Sequence, residues 1–163
     1  MIIDSHAHIV PAEFVEDVRR EKFAPALSIE PGKKWESIVI NSTASGQNRI
    51  FKNALPQETY DIALRLEHMA KMGVNKQILS IVPPLMGYGL DIGINMNIAS
   101  AFNNHIAKLV SENPEQFSCL ATIPLQDPAV AVEELERAVK TGHIGVQIGS
   151  NVAGKNLDDP ALS

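Results

Sequence analysis

Short, nearly continuous apolar runs alternate along the chain with longer segments in which apolar residues recur every three or four positions. The short runs lack the alternation of apolar and polar residues that a strand with one wet face shows. They therefore predict strands that are buried on both faces of a sheet. These runs cover residues 2–5, 77–82, 118–123 and 144–148.

The periodic segments predict amphipathic helices over 56–72, 95–112 and 127–141, with a shorter helix over 12–20. The segment from 127 has a helix start signal, because Asp127 can cap the N-terminus and Pro128 suits the first helical position. Gly73 and Gly142 follow the periodic segments and are typical helix stops.

Strands that alternate with helices predict a parallel sheet with right-handed crossovers. The exception is the segment 21–55, which is polar and weakly periodic and which we predict to be a loop or lid inserted after the first strand. Four βα units are half of an eight-stranded barrel, which usually needs about 250 residues. We therefore expect an α/β fold, the N-terminal half of a (β/α)8 TIM barrel, with residues 1–163 forming one partial domain.

Composition narrows the function classes. Apolar residues make up 45% of the chain and charged residues 20%, as in globular proteins. The net charge of −5 argues against nucleic-acid binding. The single cysteine excludes a disulfide within the chain and suits a reducing compartment. We see neither a membrane-spanning run of about 20 apolar residues nor a cleavable leader, and we expect a cytoplasmic protein without membrane partners.

The residues with the clearest chemical signal are His6 and His8, which directly follow the first apolar run. Side chains two apart on a strand project to the same side, so the two imidazoles could supply half of a metal site. In a barrel, that end of the strand is where active sites are built. The alternative is chance proximity of two histidines. Asp4 has two interpretations as well, because it could orient a ligand imidazole or bind neighbouring backbone.

Several stretches of the chain resemble the amidohydrolase superfamily. Residues 3–11 (IDSHAHIVP) resemble the opening of that superfamily. Further stretches resemble its aminocarboxymuconate-semialdehyde decarboxylase branch, the amidohydrolase 2 group, and the match covers the whole chain except 21–55. These stretches are 66–74 (LEHMAKMGV), 121–128 (ATIPLQDP), 133–138 (EELERA), 145–151 (GVQIGSN) and 156–160 (NLDDP). Position 70 departs from the group's pattern, with alanine where an acidic residue is customary.

The resemblance implies a barrel that holds one divalent metal, most commonly Zn²⁺, with His6 and His8 as ligands. It implies decarboxylation of an unsaturated or aromatic carboxylic acid. The family's later histidines and aspartate have no counterpart here, so we expect residues 1–163 alone to be inactive. Two alternatives stay open: a metal-dependent hydrolase of lactones or amides, and a non-catalytic half-barrel interaction module. A homodimer is a further expectation, because half a barrel exposes two strand edges.

The resemblance also implies an arginine from the long loop that holds the carboxylate of a small substrate, and Arg49 is the candidate. The alternative is that Arg49 is a solvated loop charge. We interpret the remaining histidines, His68, His105 and His143, as structural. Cys119 lies in a predicted strand, so we expect a buried, unreactive thiol.

Overall fold

The computed structural model of the protein describes residues 1–42 and 49–162. The strands are β1 (Ile3–Ile9), β2 (Leu27–Glu30), β3 (Ser37–Ser42), β4 (Arg49–Ala54), β5 (Lys76–Ile81), β6 (Phe117–Cys119), β7 (Asn151–Val152) and β8 (Lys155–Asn156). The helices are α1 (Ala12–Arg19), α2 (Ile62–Met72), α3 (Ile92–Glu112) and α4 (Pro128–Lys140). Short 3₁₀ helices cover Gln57–Thr59, Pro83–Met86 and Pro160–Leu162.

The main sheet is parallel and has the strand order β1-β5-β6. A fourth position follows at Ala121, which forms a parallel bridge with Val146. The Gln147 amide donates to the Ala121 carbonyl, and the Ala121 amide donates to the Gly145 carbonyl, each at 2.9 Å. The run predicted over 144–148 therefore lies beside β6 as expected, although its pairing amounts to a short bridged segment. The α/β fold with half a barrel is confirmed.

Three aspartates set where the later helices begin. The side chain of Asp61 accepts from the Leu64 amide, and Asp91 and Asp127 each accept from two amides of the first helical turn. Because each cap satisfies amides that have no partner within the helix, it fixes the first turn. Asp127 was predicted as a cap, whereas α2 begins six residues later than predicted and α3 three residues earlier.

The segment 21–55 is not the loop that we predicted from the sequence. It contains a three-stranded antiparallel sheet with the order β2-β3-β4. Ile38 and Ile40 of β3 are buried and join the main hydrophobic core, so the inserted sheet packs against the barrel half. The prediction failed because no apolar run in this segment is longer than three residues, and polar residues, glycine or proline separate each run from the next.

The core lies between the main sheet and its helices. Phe14 of α1 contacts Phe102 of α3 edge-on, with ring centroids 5.6 Å apart, and stacks on Phe23 at 5.3 Å. The two edges of the main sheet are less well covered than its centre. Ile3, on the edge strand β1, is 47% exposed, and Ile144, at the opposite edge, is 61% exposed. Within the described ranges, no helix is both long and apolar enough to cross a bilayer.

Candidate metal and substrate site

The two histidines of the first strand lie side by side, His6 in the middle of β1 and His8 near its carboxyl end. The ring centroids of His6 and His8 are 4.7 Å apart, and the ring planes are 77° apart. A β-bulge between Asp4 and Ala7 places two residues of β1 opposite one residue of β5. The predicted juxtaposition of the two imidazoles is therefore present, although the strand that carries them is irregular.

The surroundings of His8 favour a neutral imidazole. Burial lowers its pKa, and the neighbouring His6 lowers it further, while backbone groups of Ile81 and Ser80 oppose part of this shift. The Oγ atom of Ser80 lies 3.3 Å from His8 Nδ1. When Nδ1 carries the proton, it donates to this oxygen and leaves the lone pair of Nε2 available to a cation. Neutral imidazole is the form that binds a metal.

Asp4 binds neighbouring polar groups rather than a histidine ring. Its carboxylate accepts from the His6 amide at 3.2 Å and from the side-chain amide of Gln77 at 2.9 Å. Of the two interpretations of Asp4, the structure thus favours satisfaction of nearby backbone. The link to Gln77 was not expected from the sequence, because Gln77 lies 73 positions further along the chain.

The donor set fits half of a metal site. In the parts of the chain that the structure describes, no three His, Cys, Asp or Glu side chains are grouped so that they could hold a metal ion. Two imidazoles suit zinc and other transition metals, but a tetrahedral site needs further ligands. His6 and His8 can therefore contribute to a metal site that the described residues do not complete.

A cavity of about 410 Å³ lies at the same end of the sheet. Ile40 and Phe51 of the inserted sheet form one wall, and the loop after β5 forms another with Met86 and Tyr88. Its volume falls in the range of small-molecule sites, which are mostly apolar with a few polar groups. The Tyr88 hydroxyl accepts from the Gly149 amide at 3.3 Å, and burial raises its pKa, so it stays protonated near neutral pH and can donate to a ligand.

The predicted substrate residue, Arg49, opens β4 and pairs in register with Ser42, which lines the cavity. Its side chain lies outside what the structure describes. Phe51 stands two residues further along β4. Neither Phe51 nor Tyr88 could be assigned to the site from the sequence, because an isolated aromatic residue in a loop-like segment is equally compatible with surface exposure.

Two of the three histidines interpreted as structural have partners away from this site. His105 Nε2 lies 2.9 Å from Asp17 Oδ2, and His143 Nδ1 lies 3.0 Å from the Ala138 carbonyl. Cys119 is buried, and burial raises the pKa of its thiol to about 11. These three observations agree with the structural roles predicted from the sequence.

Known proteins are similar to this chain over nearly its whole length. A curated relative is 2-amino-3-carboxymuconate-6-semialdehyde decarboxylase of Dictyostelium discoideum, which is 34% identical over 164 residues, or 98% of this chain. The chain spans 43% of the length of that relative.

Solved structures of similar fold include 5-carboxyvanillate decarboxylase of Sphingomonas paucimobilis, with a TM-score of 0.70 and 23% identity over 99% of this chain and 46% of the other. Another is dihydroxybenzoic acid decarboxylase of Polaromonas sp. JS666, which was solved with manganese and the inhibitor 2-nitroresorcinol. It has a TM-score of 0.61 and 25% identity over 89% of this chain and 37% of the other. The amidohydrolase family model matches residues 3–163, and the chain therefore belongs to the amidohydrolase family.

Proposed function

We propose that this chain forms the first half of the active site of a metal-dependent decarboxylase that acts on an unsaturated or aromatic carboxylic acid. The observation that carries the proposal is the His6–His8 pair, whose ring centroids are 4.7 Å apart and whose second member lies near the carboxyl end of β1. The cavity at the same end of the sheet supports it, since barrel enzymes assemble their sites there. The chain is one partial barrel domain in this proposal.

His6 and His8 provide two of the ligands of one divalent cation, and the remaining ligands come from outside the described residues. The bound cation supplies Lewis-acid stabilisation of charge that develops on the substrate. We propose zinc because imidazole ligands suit it. Manganese is the competing metal, since it is present in the solved dihydroxybenzoic acid decarboxylase.

The cavity takes the conjugated part of the substrate. Phe51 and Tyr88 offer aromatic surface to a flat ligand, and the Tyr88 hydroxyl offers a hydrogen-bond donor. We assign the substrate carboxylate to Arg49, because a guanidinium can bind both carboxylate oxygens at once. The segment 21–55 covers the cavity in this proposal, since its strands β3 and β4 contribute Ile40, Ser42 and Phe51 to the walls.

A hybrid enzyme tests the proposal. The matched portion of the Dictyostelium discoideum decarboxylase is replaced by residues 1–163, and the hybrid is loaded with Zn²⁺ or Mn²⁺. We expect CO₂ release from 2-amino-3-carboxymuconate-6-semialdehyde or from a dihydroxybenzoate, and loss of this activity in the hybrid with His6→Ala and His8→Ala. Arg49→Ala is expected to raise the KM of the hybrid for the carboxylate substrate. Arg20→Ala is the matched control, because Arg20 is an exposed arginine at the C-cap of α1 and should leave KM unchanged.

Two outcomes would contradict parts of the proposal. Decarboxylation is contradicted if the hybrid folds and binds metal stoichiometrically but releases no CO₂ from either substrate class. If the same hybrid releases acid from a lactone or an amide, the activity is hydrolysis instead. Stoichiometric metal retained after both histidines are replaced contradicts the ligand assignment. The ratio of activities with Zn²⁺ and Mn²⁺ decides between the two metals.

A further inference from the structure

We propose that Arg65 and Gln77 are positioning residues that hold the backbone of His6 and His8 in the arrangement that binds the metal. The inference rests on the proposed function, because it assumes that the two histidines are metal ligands. It adds two residues on other elements, α2 and β5, that neither contact the metal nor belong to the His-x-His motif.

The need for such residues comes from the bulge in β1. Asp4 pairs with Gln77 and Ala7 pairs with Leu79, so the residues between Asp4 and Ala7 stand opposite a single residue of β5. A bulge leaves an extra residue without a regular ladder partner. The ladder thus constrains His6 less than the rest of the strand, and the Asp4 carboxylate accepts from the His6 amide at 3.2 Å.

Gln77 connects this carboxylate to Arg65. Its side-chain amide donates to Asp4 Oδ2 at 2.9 Å, and its side-chain carbonyl accepts from Arg65 Nη1 at 3.0 Å. Because both ends of the Gln77 amide are occupied, the side chain has one defined orientation. Gln77 is also buried, which strengthens the effect of each hydrogen bond on its position.

Arg65 closes the connection at the other histidine. Its Nη2 donates to the His8 carbonyl at 2.8 Å and to the Glu58 carbonyl at 3.0 Å. One series of hydrogen bonds therefore runs from the His6 amide through Asp4, Gln77 and Arg65 to the His8 carbonyl. The series fixes the two ligand residues relative to each other, and partners that orient ligands in this way commonly change metal affinity when they are replaced.

Copper binding to the chain tests this inference without any assay of activity. Cu²⁺ is the probe because it binds nitrogen sites more tightly than the other divalent first-row metals do. The wild-type chain and its variants are titrated with Cu²⁺ by calorimetry, and electron paramagnetic resonance reports the number of coordinated nitrogens. Thermal unfolding without metal measures stability separately.

We expect Arg65→Met and Gln77→Leu each to weaken Cu²⁺ binding by about 10–100-fold and to change the resonance spectrum. Arg65→Lys should retain part of the affinity, since an ammonium can still donate to one carbonyl. Arg137→Met is the matched control. Arg137 also forms several hydrogen bonds, but these lie away from β1: one stays within α4 at Glu134, and two join α4 to Asn104 and Ser100 of α3. It should lower thermal stability and leave the spectrum and the affinity unchanged.

The outcomes separate this inference from the proposed function. Unchanged Cu²⁺ affinity and spectrum in Arg65→Met, with a lower melting temperature, would show a purely structural role and overturn the inference alone. Equal weakening by Arg137→Met would also overturn it, because the effect would then follow general stability. If His8→Ala binds Cu²⁺ as the wild type does, the ligand assignment fails, and the inference fails with it.

Discussion

Replacement of Asn103 by leucine should destabilise the protein strongly, because this buried side chain joins α3 to α4 and to the segment between β6 and α4. Asn103 lies in α3 and is 0% exposed. Its Oδ1 accepts from the Thr122 amide at 3.0 Å, and its Nδ2 donates to the Thr122 carbonyl at 2.8 Å. The same Nδ2 donates to Glu134 Oε1 of α4 at 2.6 Å.

The magnitude follows from the groups that lose a partner. Leucine is of similar size but cannot form hydrogen bonds, so Asn103→Leu leaves the amide and carbonyl of buried Thr122 and one oxygen of buried Glu134 without these bonds. Each such group costs about 1–3 kcal/mol. The second hydrogen-bonding group on Glu134, Arg137, stays in place and moderates the loss. We expect a decrease of about 3–5 kcal/mol in the free energy of unfolding.

Urea unfolding followed by circular dichroism measures this change. With a slope of about 2 kcal/mol per molar urea, the expected shift of the midpoint is about 1.5–2.5 M. Asn97→Leu is the matched control, because Asn97 lies on the exposed side of the same helix and should change stability by less than about 0.5 kcal/mol. A loss below about 1 kcal/mol for Asn103→Leu, or equal losses for both variants, would refute the reasoning.

Three further predictions concern other parts of the molecule. Burial lowers the pKa of His143; nearby Arg137 adds to this, and the Ala138 carbonyl and Glu134 oppose it, so the free energy of unfolding should decrease as the pH falls below about 6.5. His143→Gln should flatten the pH dependence of the urea midpoint between pH 7 and 5, and an unchanged slope would contradict this. The Cys119 thiol, with a pKa of about 11, should react with a thiol reagent at pH 8 far more slowly in the folded chain than in urea; equal rates would show that it is accessible. Gly87 has φ 70°, and a Cβ there would collide with Asn95 Oδ1, so Gly87→Ala should lower the free energy of unfolding by about 1–3 kcal/mol. Gly154 also has a positive φ but open space around it, so Gly154→Ala should lower the free energy of unfolding less in the same urea measurement.

Most of the main sheet could be predicted because its signals are local. A buried parallel strand appears as an apolar run and a helix as a three-to-four-residue period, so both can be recognised without knowledge of neighbours. The boundaries were less accurate where the decisive residue was a cap. Asp61 and Asp91 precede α2 and α3, but many aspartates in the chain could serve as caps equally well.

The candidate site was predicted only where its residues are adjacent in the sequence. His6 and His8 could be paired because strand geometry relates positions two apart. The apolar walls of the cavity could not be predicted, because Ile40, Phe51 and Tyr88 come from β3, β4 and the loop after β5. The inserted sheet was missed because β2, β3 and β4 contain no apolar run longer than three residues, so only their pairing identifies them as strands.

The sequence by itself determined the alternation of strands and helices, the burial of the strands and the histidine pair of β1. These follow from backbone periodicity and from the tendency of apolar side chains to leave water. Only the tertiary structure decided that a bulge displaces His6, that Arg65 reaches the carbonyl of His8 57 positions away, and that Asn103 joins α3 to α4. Those features depend on hydrogen bonds between distant residues, and the geometry of such bonds exists only after the chain has packed.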